Sequence, residues 1–321
     1  MENWKSSKVE NTETAFKVVV SEPLSDRALE YLAEHAEIVR TDAPGAIDHI
    51  SDADGLIVRT YTQVNDELLD CGRRLKVVGR AGVALENIDL AAARRRGVEV
   101  VHTPAANTLA VVDYTIAAII SMNRRFWPMS GFVEGAEFHS MRKQAYGRFL
   151  SGMTLGIVGC GRIGSRVGAA GRALGMRVLY NDIIPIELDY DARPVDKATL
   201  YCESDIVTIH VPLDDSTRGL IDAESLAGFK DGAQFINAAR GPCVNYHDLA
   251  DAVRSGKISA ATIDCHDPEP PPADYPLFGL ENVTLTPHIA ARVPQAVENM
   301  CDVVYDVVAV LEGRQPEFPA P

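Results

Sequence analysis

The sequence lacks long apolar runs, closely spaced cysteines and an excess of positive charge. No apolar run in its 321 residues reaches the roughly 20 residues that a membrane-spanning helix needs. Residues Met1 to Thr14 are polar and lack the apolar core of a signal peptide, so we interpret them as a loose tail. Six cysteines are scattered along the chain: Cys71, Cys160, Cys202, Cys243, Cys265 and Cys301. Without paired spacing they predict neither a metal site nor a disulfide framework, which favours a reducing cytoplasm.

The formal net charge of −14 argues against two large classes of partner. Nucleic acid and anionic membrane would both repel such a chain at long range. The hydrophobic content of 46% is enough for well-filled cores, and the length allows two domains. The composition therefore indicates a globular protein.

A glycine-rich turn follows the apolar run that begins at Thr154. The pattern predicts a strand, a tight turn and a helix. Gly159 permits a sharp turn, Gly161 leaves room for a pyrophosphate, and Gly164 allows the helix to pack closely on its strand. The N–H groups at the start of that helix, which begins with Arg162 and Ile163, would bind the phosphates. Such a motif also arises for purely steric reasons, so the residues around it decide whether it indicates a nucleotide-binding site.

The context is a second predicted strand, Arg177 to Asn181, which is followed by Asp182. This carboxylate lies about twenty residues after the glycines, where a ribose-binding carboxylate is expected. No arginine lies nearby to meet a 2′-phosphate. The sequence therefore predicts NAD rather than NADP as cofactor.

Strands alternate with helices over the whole chain, which predicts an α/β protein with parallel sheets. A first series of strands runs from Phe16 to Val101, and a helix that begins at Thr108 connects it to a second series that ends with Val283 to Leu285. A long final helix is predicted from Pro294 to Leu311. The chain ends soon after Gly313, so we expect no appended regulatory domain.

An unusually aromatic segment separates the connecting helix from the glycine turn. Its members are Phe126, Trp127, Phe132, Phe138, Tyr146 and Phe149. Two interpretations stay open, since these side chains could pack against the nucleotide-binding domain or form a contact between subunits.

Polar residues follow three of the later predicted strands. Arg240 comes after the strand Ala233 to Asn237, Glu269 comes after Ile258 to Asp264, and His288 comes after Val283 to Leu285. Because the carboxyl ends of parallel strands line the ligand crevice, we expect these three side chains to converge beside the cofactor. Each one alone could be a solvated charge or a strand cap, but together they predict an active site.

The chain after Phe16 resembles the D-isomer-specific 2-hydroxyacid dehydrogenase family. Besides the glycine turn, the motifs are Gly79 to Asp89, Thr103 to Asn107, His210 to Leu213, Asn237 to Gly241, Asp264 to Pro270 and Leu285 to His288. The resemblance implies two doubly wound parallel-sheet domains. A Rossmann NAD-binding domain, residues 104–288, would be inserted into a flavodoxin-like substrate-binding domain formed by 1–103 and 289–321, with hinges near Pro104 and His288.

Transfer of hydride between nicotinamide and C2 of a D-2-hydroxy acid needs a cation and an acid–base group. Arg240 offers a planar fork for the carboxylate and carbonyl of the keto acid. His288 is the candidate acid in reduction and base in oxidation, since imidazole changes charge near neutral pH. The resemblance makes Glu269 its partner. It also implies a cofactor cleft lined by His210, Val211, Pro212, Ala238, Ala239 and Asp264.

The substrate is less sharply indicated. By resemblance, backbone amides of Gly82, Val83 and Ala84 hold the substrate carboxylate together with Asn107. The residues Arg59, Thr60 and Arg80 resemble those of the phosphoglycerate dehydrogenase branch, in which cations bind the phosphate of the substrate. Alternatively, Arg80 pairs with an acidic neighbour in its own domain. We therefore expect a 3-phosphoglycerate-like substrate, with hydroxypyruvate or glyoxylate reduction as the alternative.

Three residues depart from the family pattern. Ala84 stands where the family usually has Gly, Asp113 stands where it has Glu, and Tyr114 stands where it often has His. Ala84 touches the carboxylate loop, whereas the other two are expected to alter packing only. The family is commonly dimeric through its nucleotide domain, so a homodimer is expected, and no metal is expected. A protein of another class, an NAD-binding corepressor or scaffold with little turnover, is the rival interpretation.

Overall fold

The computed structural model describes residues 16–124, 126 and 128–321. The predicted tail Met1 to Thr14, together with Arg125 and Trp127, lies outside the described residues. The chain divides into two compact units: the first joins the residues up to Asn107 to Arg292–Pro321, and the second is Thr108–Ala291. No helix in the described part of the chain is both long enough and apolar enough to cross a bilayer.

Strands and helices alternate in both units. The strands are β1 (Lys17–Val20), β2 (Glu37–Arg40), β3 (Gly55–Val58), β4 (Val77–Arg80), β5 (Glu99–His102), β6 (Thr154–Val158), β7 (Arg177–Asn181), β8 (Arg193–Pro194), β9 (Ile206–Ile209), β10 (Ala233–Asn237), β11 (Ile258–Ile263) and β12 (Val283–Leu285). The helices are α1 (Asp26–His35), α2 (Ala46–His49), α3 (Asp66–Cys71), α4 (Leu90–Arg95), α5 (Thr108–Asn123), α6 (Gly135–Gln144), α7 (Arg162–Ala173), α8 (Lys197–Glu203), α9 (Ala223–Ala227), α10 (Tyr246–Arg254), α11 (Pro294–Cys301) and α12 (Val303–Leu311).

The first unit contains a five-stranded parallel sheet in the order β2-β1-β3-β4-β5. This is the flavodoxin-like order of a doubly wound sheet, in which ligands bind where the strand order reverses, between β1 and β3. The valines of α12 cover one face, since Val303, Val304 and Val307 are at most 1% exposed. A Cβ on Gly79 would lie 2.4 Å from Val307, so glycine in β4 lets this helix approach the sheet.

The second unit contains a seven-stranded parallel sheet in the order β12-β11-β10-β9-β6-β7-β8. Its strand order reverses between β6 and β9, where a doubly wound sheet forms its ligand crevice. Apolar clusters cover both faces, one around the fully buried Phe235 and the other around Ile157. The prediction of two parallel-sheet α/β units is confirmed.

Several elements differ from the predictions. The final helix is not continuous, because Asp302 lies between α11 and α12 and its N–H bonds to the Asn299 carbonyl, a tighter turn than the α-helix makes. The helices α4 and α6 and the short strand β8 were not predicted. No residue of α6 is buried, so it offers no apolar periodicity to detect.

The aromatic segment between α5 and β6 is exposed. Phe126, Phe132, Tyr146 and Phe149 are each at least 85% exposed, and Phe138 is 41% exposed. Packing of these four most exposed side chains against the nucleotide-binding unit was therefore the wrong alternative. Exposed aromatic clusters of this kind are typical of interaction surfaces.

Candidate active site

The glycine turn follows β6 at the point where the sheet order reverses. Gly159 has φ 87°, and a Cβ there would lie 2.6 Å from the His210 carbonyl oxygen. A Cβ on Gly164 would lie 2.1 Å from the Gly159 carbonyl, whereas one on Gly161 meets nothing within 4 Å. Two glycines are thus required by close packing, and Gly161 faces open space. Arg162 and Ile163 begin α7 directly behind it.

Asp182 follows β7 and is tied to this turn. Its Oδ2 accepts a 2.7 Å hydrogen bond from the Cys160 N–H, and its Oδ1 accepts one of 3.3 Å from Ile184. The side chain is half-buried, and each carboxylate oxygen can accept a further bond from a ribose hydroxyl. The open glycine turn and this carboxylate therefore fit a dinucleotide.

The loop after β9 contains His210, Val211 and Pro212. The His210 N–H bonds to the Val158 carbonyl, and its Nε2 lies 3.1 Å from the Thr208 hydroxyl. Burial lowers the pKa of His210 to about 4, so this imidazole is neutral at physiological pH. The residue contacts the glycine turn through its backbone.

The loop after β10 is held by Asn237. Its Oδ1 accepts from the Ala239 N–H and its Nδ2 donates to the Arg240 carbonyl, which fixes the backbone that carries Arg240. Ala238 and Ala239 are buried. The Arg240 guanidinium donates to the Ala239 carbonyl at 2.7 Å.

The loop after β11 packs directly on the loop that carries Arg240. A Cβ on Gly241 would lie 1.8 Å from the His266 carbonyl oxygen, so only glycine fits. The Tyr246 hydroxyl donates to the Cys265 carbonyl and accepts from Asn237. The Cys265 thiol donates to the Ala239 carbonyl at 3.3 Å, and burial raises the pKa of this thiol. The two loops therefore form one rigid edge.

Glu269 and His288 form the pair that the family resemblance implied. Nδ1 of His288 lies 2.9 Å from Oε2 and 3.1 Å from Oε1 of Glu269, whose Oε1 also accepts from the His266 N–H at 2.8 Å. Burial alone would raise the pKa of Glu269, but the bonds from His288 and His266 outweigh it and lower this pKa. An ionised carboxylate only accepts hydrogen bonds, so Nδ1 carries the proton and Nε2 is the nitrogen available for chemistry.

The backbone of His288 is strained and held by Asp264. His288 has φ 52°, and among the described residues it is the only one other than glycine with a positive φ. Such a conformation costs on the order of 1–3 kcal/mol and persists only when its surroundings enforce it. The fully buried Asp264 does so: its carbonyl accepts from His288 N–H, and its carboxylate accepts from the N–H groups of Ile289 and Ala290 at 2.8 Å.

In the first unit, Arg59 and Thr60 belong to a loop wrapped around Glu22. The buried Glu22 carboxylate accepts from four consecutive backbone N–H groups, those of residues 59–62, at 2.9–3.2 Å. The Arg59 guanidinium itself donates to the Pro23 carbonyl. These amides already have an anionic partner, which sequence reasoning did not anticipate.

The predicted carboxylate loop begins at Gly82. This glycine has φ 150°, and a Cβ there would collide with the Arg80 guanidinium at 1.8 Å. Arg80 is buried beneath the loop and donates to the Ala81 carbonyl. The Val83 carbonyl lies 3.0 Å from Nδ1 of His102, a contact that the sequence did not reveal. Ala84 and Asn107 are half-buried.

Residues 116–290 match the model of the D-isomer specific 2-hydroxyacid dehydrogenase NAD-binding domain. The chain belongs to this family. It is 34% identical over 287 residues to a hydroxypyruvate reductase from Thermotoga maritima, covering 88% of this chain and 93% of that protein. It is 35% identical over 305 residues to a D-3-phosphoglycerate dehydrogenase from Archaeoglobus fulgidus, covering 92% of this chain but only 58% of that relative. A Thermus thermophilus protein of known crystal structure superimposes with a TM-score of 0.83 at 34% identity, covering 95% of this chain and all of that one.

Tyr114 does more than alter packing, which corrects the sequence-based expectation. Its hydroxyl lies 2.5 Å from the Thr286 hydroxyl, which donates to Asp264 Oδ1 at 2.6 Å. Burial, partly offset by this bond, raises the pKa of Tyr114 to about 12. On the other side, His266 Nε2 donates to the Thr286 carbonyl. Asp113, by contrast, is exposed on α5.

Proposed function

We propose that this member of the family is an NAD-dependent oxidoreductase that transfers hydride between nicotinamide and C2 of a D-2-hydroxy acid or its 2-keto acid. The observation that carries the proposal is the Glu269–His288 pair, which follows the carboxyl ends of the adjacent strands β11 and β12. The buried Asp264 holds the backbone of His288 and of the two residues after it. An imidazole held this way by a carboxylate is suited to acid–base catalysis.

Each residue has a distinct task in the proposed reaction. NAD, when bound, supplies the hydride acceptor or donor. Glu269 keeps the proton on Nδ1 of His288, so the protonated Nε2 of the imidazolium can donate a proton to the carbonyl oxygen during reduction, and the unprotonated Nε2 of the neutral ring can remove one during oxidation. Arg240 offers a planar cationic fork for the substrate carboxylate and carbonyl. The Gly82–Ala84 loop and Asn107 stay predicted carboxylate ligands.

Turnover separates this proposal from the corepressor or scaffold alternative. Purified protein should consume NADH with at least one of glyoxylate, hydroxypyruvate, pyruvate or a phosphorylated 2-keto acid. The His288→Gln variant should still bind NADH, measured by its fluorescence, but lose roughly 10²–10⁴-fold in kcat, the usual contribution of general acid–base catalysis. If the wild-type protein bound NADH and reduced none of these acids, the enzyme proposal would fail.

For the substrate, we propose a 3-phosphoglycerate-like acid, with hydroxypyruvate or glyoxylate as the alternative. The exposed Arg59 guanidinium supports the phosphorylated acid. The Glu22 carboxylate supports the alternative, because it occupies the four amides of residues 59–62 and places negative charge beside that loop. The relatives that match this chain include one named for each activity, a D-3-phosphoglycerate dehydrogenase and a hydroxypyruvate reductase.

We also propose that the protein is a cytoplasmic homodimer. The exposed aromatic side chains of residues 126–149 support this interface, because solvent-exposed clusters of Phe and Tyr are unfavourable in an isolated subunit. Scattered free cysteines support a reducing compartment.

A further inference from the structure

Cys265, Glu269 and His288 bring three different metal-binding atoms together. The thiol sulfur, a carboxylate oxygen and an imidazole nitrogen all lie within 4.8 Å of one another. Cys265 is buried in the loop after β11, whereas the side chains of Glu269 and His288 are 39% and 47% exposed. An ion could therefore arrive from solvent through the exposed pair and meet the sulfur behind it.

The donor set selects one class of ion. Hard cations such as Mg²⁺ and Ca²⁺ take oxygen ligands almost entirely. Zn²⁺ takes thiolate, imidazole and carboxylate together, with bonds of about 2.3 Å to sulfur and about 2.0–2.2 Å to nitrogen and oxygen. Tetrahedral binding would place the three atoms roughly 3.3–3.6 Å from each other. The distances to the sulfur would close by up to about 1 Å and the 2.9 Å distance between Nδ1 and Oε2 would open slightly, both by rotation of the exposed side chains.

We propose that Cys265, Glu269 and His288 form a reversible inhibitory site for Zn²⁺. The inhibition rests on the proposed function, whereas the binding does not. Zn²⁺ would take the sulfur as thiolate, with its proton released to water, and Nδ1 of His288, whose proton moves to Nε2. A water molecule would complete the four ligands.

The inhibitory effect follows from the change at His288. In the metal-free pair, Glu269 holds the proton on Nδ1 and Nε2 is available to exchange a proton with the substrate. With Zn²⁺ on Nδ1, the neutral ring has its proton on Nε2 and cannot accept another during oxidation. Glu269 no longer fixes the ring, so the geometry for proton donation during reduction is lost as well.

Binding is tested with Co²⁺, which replaces Zn²⁺ and is visible spectroscopically. Co²⁺ added to the wild-type protein should give an intense thiolate-to-metal charge-transfer band at one ion per chain, and Zn²⁺ should abolish it. Cys265→Ser, which keeps a donor for the Ala239 carbonyl, should lose the band. Cys202→Ser is the matched control, because Cys202 is the exposed cysteine of the described chain, and it should keep the band.

Inhibition is tested on the same variants. Zn²⁺ should inhibit the wild-type protein and Cys202→Ser equally, a chelator should restore activity, and Cys265→Ser should need at least about tenfold more Zn²⁺. A Cys265-dependent band in a protein without turnover would support the site and refute only the proposed function. Absence of the band from the wild-type protein, a band that survives Cys265→Ser, or equal inhibition of that variant would overturn the proposal. The wild-type measurement decides even if the variant does not fold.

Discussion

The bonds from Tyr114 through Thr286 to Asp264 predict how a residue on α5 would affect the proposed catalysis by His288. Because the Asp264 carboxylate only accepts, the Thr286 hydroxyl must donate to it, and the Tyr114 hydroxyl must therefore donate to Thr286. Asp264 in turn holds the N–H groups of the two residues after His288. Replacement of Tyr114 by Phe removes only the first bond of this series.

The expected magnitudes follow from the kind of bond removed. Tyr114→Phe loses a bond between neutral groups and should lower the free energy of unfolding by about 0.5–1.5 kcal/mol. Thr286→Val removes a bond to a buried carboxylate and leaves the Tyr114 hydroxyl without its acceptor, so it should cost about 1.5–3 kcal/mol. For a unit of this size, each kcal/mol lowers the melting temperature by about 2–4 °C. Loosening of the His288 loop should reduce kcat up to about tenfold.

The assay is a double-mutant cycle with calorimetry and steady-state kinetics. In the Thr286→Val background, Tyr114→Phe should cost much less than in the wild type, with a coupling energy of about 0.5–1.5 kcal/mol. Tyr180→Phe is the matched control, since its hydroxyl bonds to the Ile186 carbonyl, and it should lose stability without a change in kcat. Additive losses, or an unchanged kcat in Tyr114→Phe, would refute the reasoning.

Three further predictions concern cofactor, substrate and assembly. Asp182 should disfavour NADPH by on the order of 1–3 kcal/mol, so kcat/KM should be roughly ten- to hundredfold higher with NADH than with NADPH. Asp182→Asn should reduce this preference, and equal activity of the wild-type protein with NADH and NADPH would refute the role of Asp182. Arg59→Ala should cut kcat/KM for a phosphorylated 2-keto acid roughly ten- to over a hundredfold and leave unphosphorylated acids nearly unchanged, whereas equal losses would exclude a phosphate contact. Sedimentation of the wild-type protein should show a dimer, and the double variant Phe132→Ser, Phe149→Ser should shift toward the 34.8 kDa monomer. A wild-type protein that is monomeric at micromolar concentration would contradict the interface.

The parts of the fold that could be predicted are those with a local signal. The strands β6 and β9 are buried along their whole length, so most of their residues are apolar and the strands are recognisable in the sequence. The glycine turn was predictable because backbone geometry restricts the residue type there. The helix α6 gave no such signal, since it buries nothing.

The parts of the site that escaped prediction depend on contacts between distant residues. Tyr114 and Thr286 are 172 positions apart, and no local pattern connects them. The amides of residues 59–62 are donors whatever the sequence, and only the fold places Glu22 against them. Hydrophobic periodicity specifies which face of an element is buried, but it does not specify the polar partners on that face.

The order in which the two units can fold follows from the position of α12 in the chain. The core of the first unit contains Val303, Val304 and Val307, yet the whole second unit separates these residues from β1 to β5 in the chain. On the ribosome, the early strands must wait with one face of their sheet uncovered while residues 108–291 emerge. The second unit, which is contiguous, can complete its own core first. A chain truncated before residue 303 and released from the ribosome should therefore protect its second unit from protease while its first unit is still cleaved.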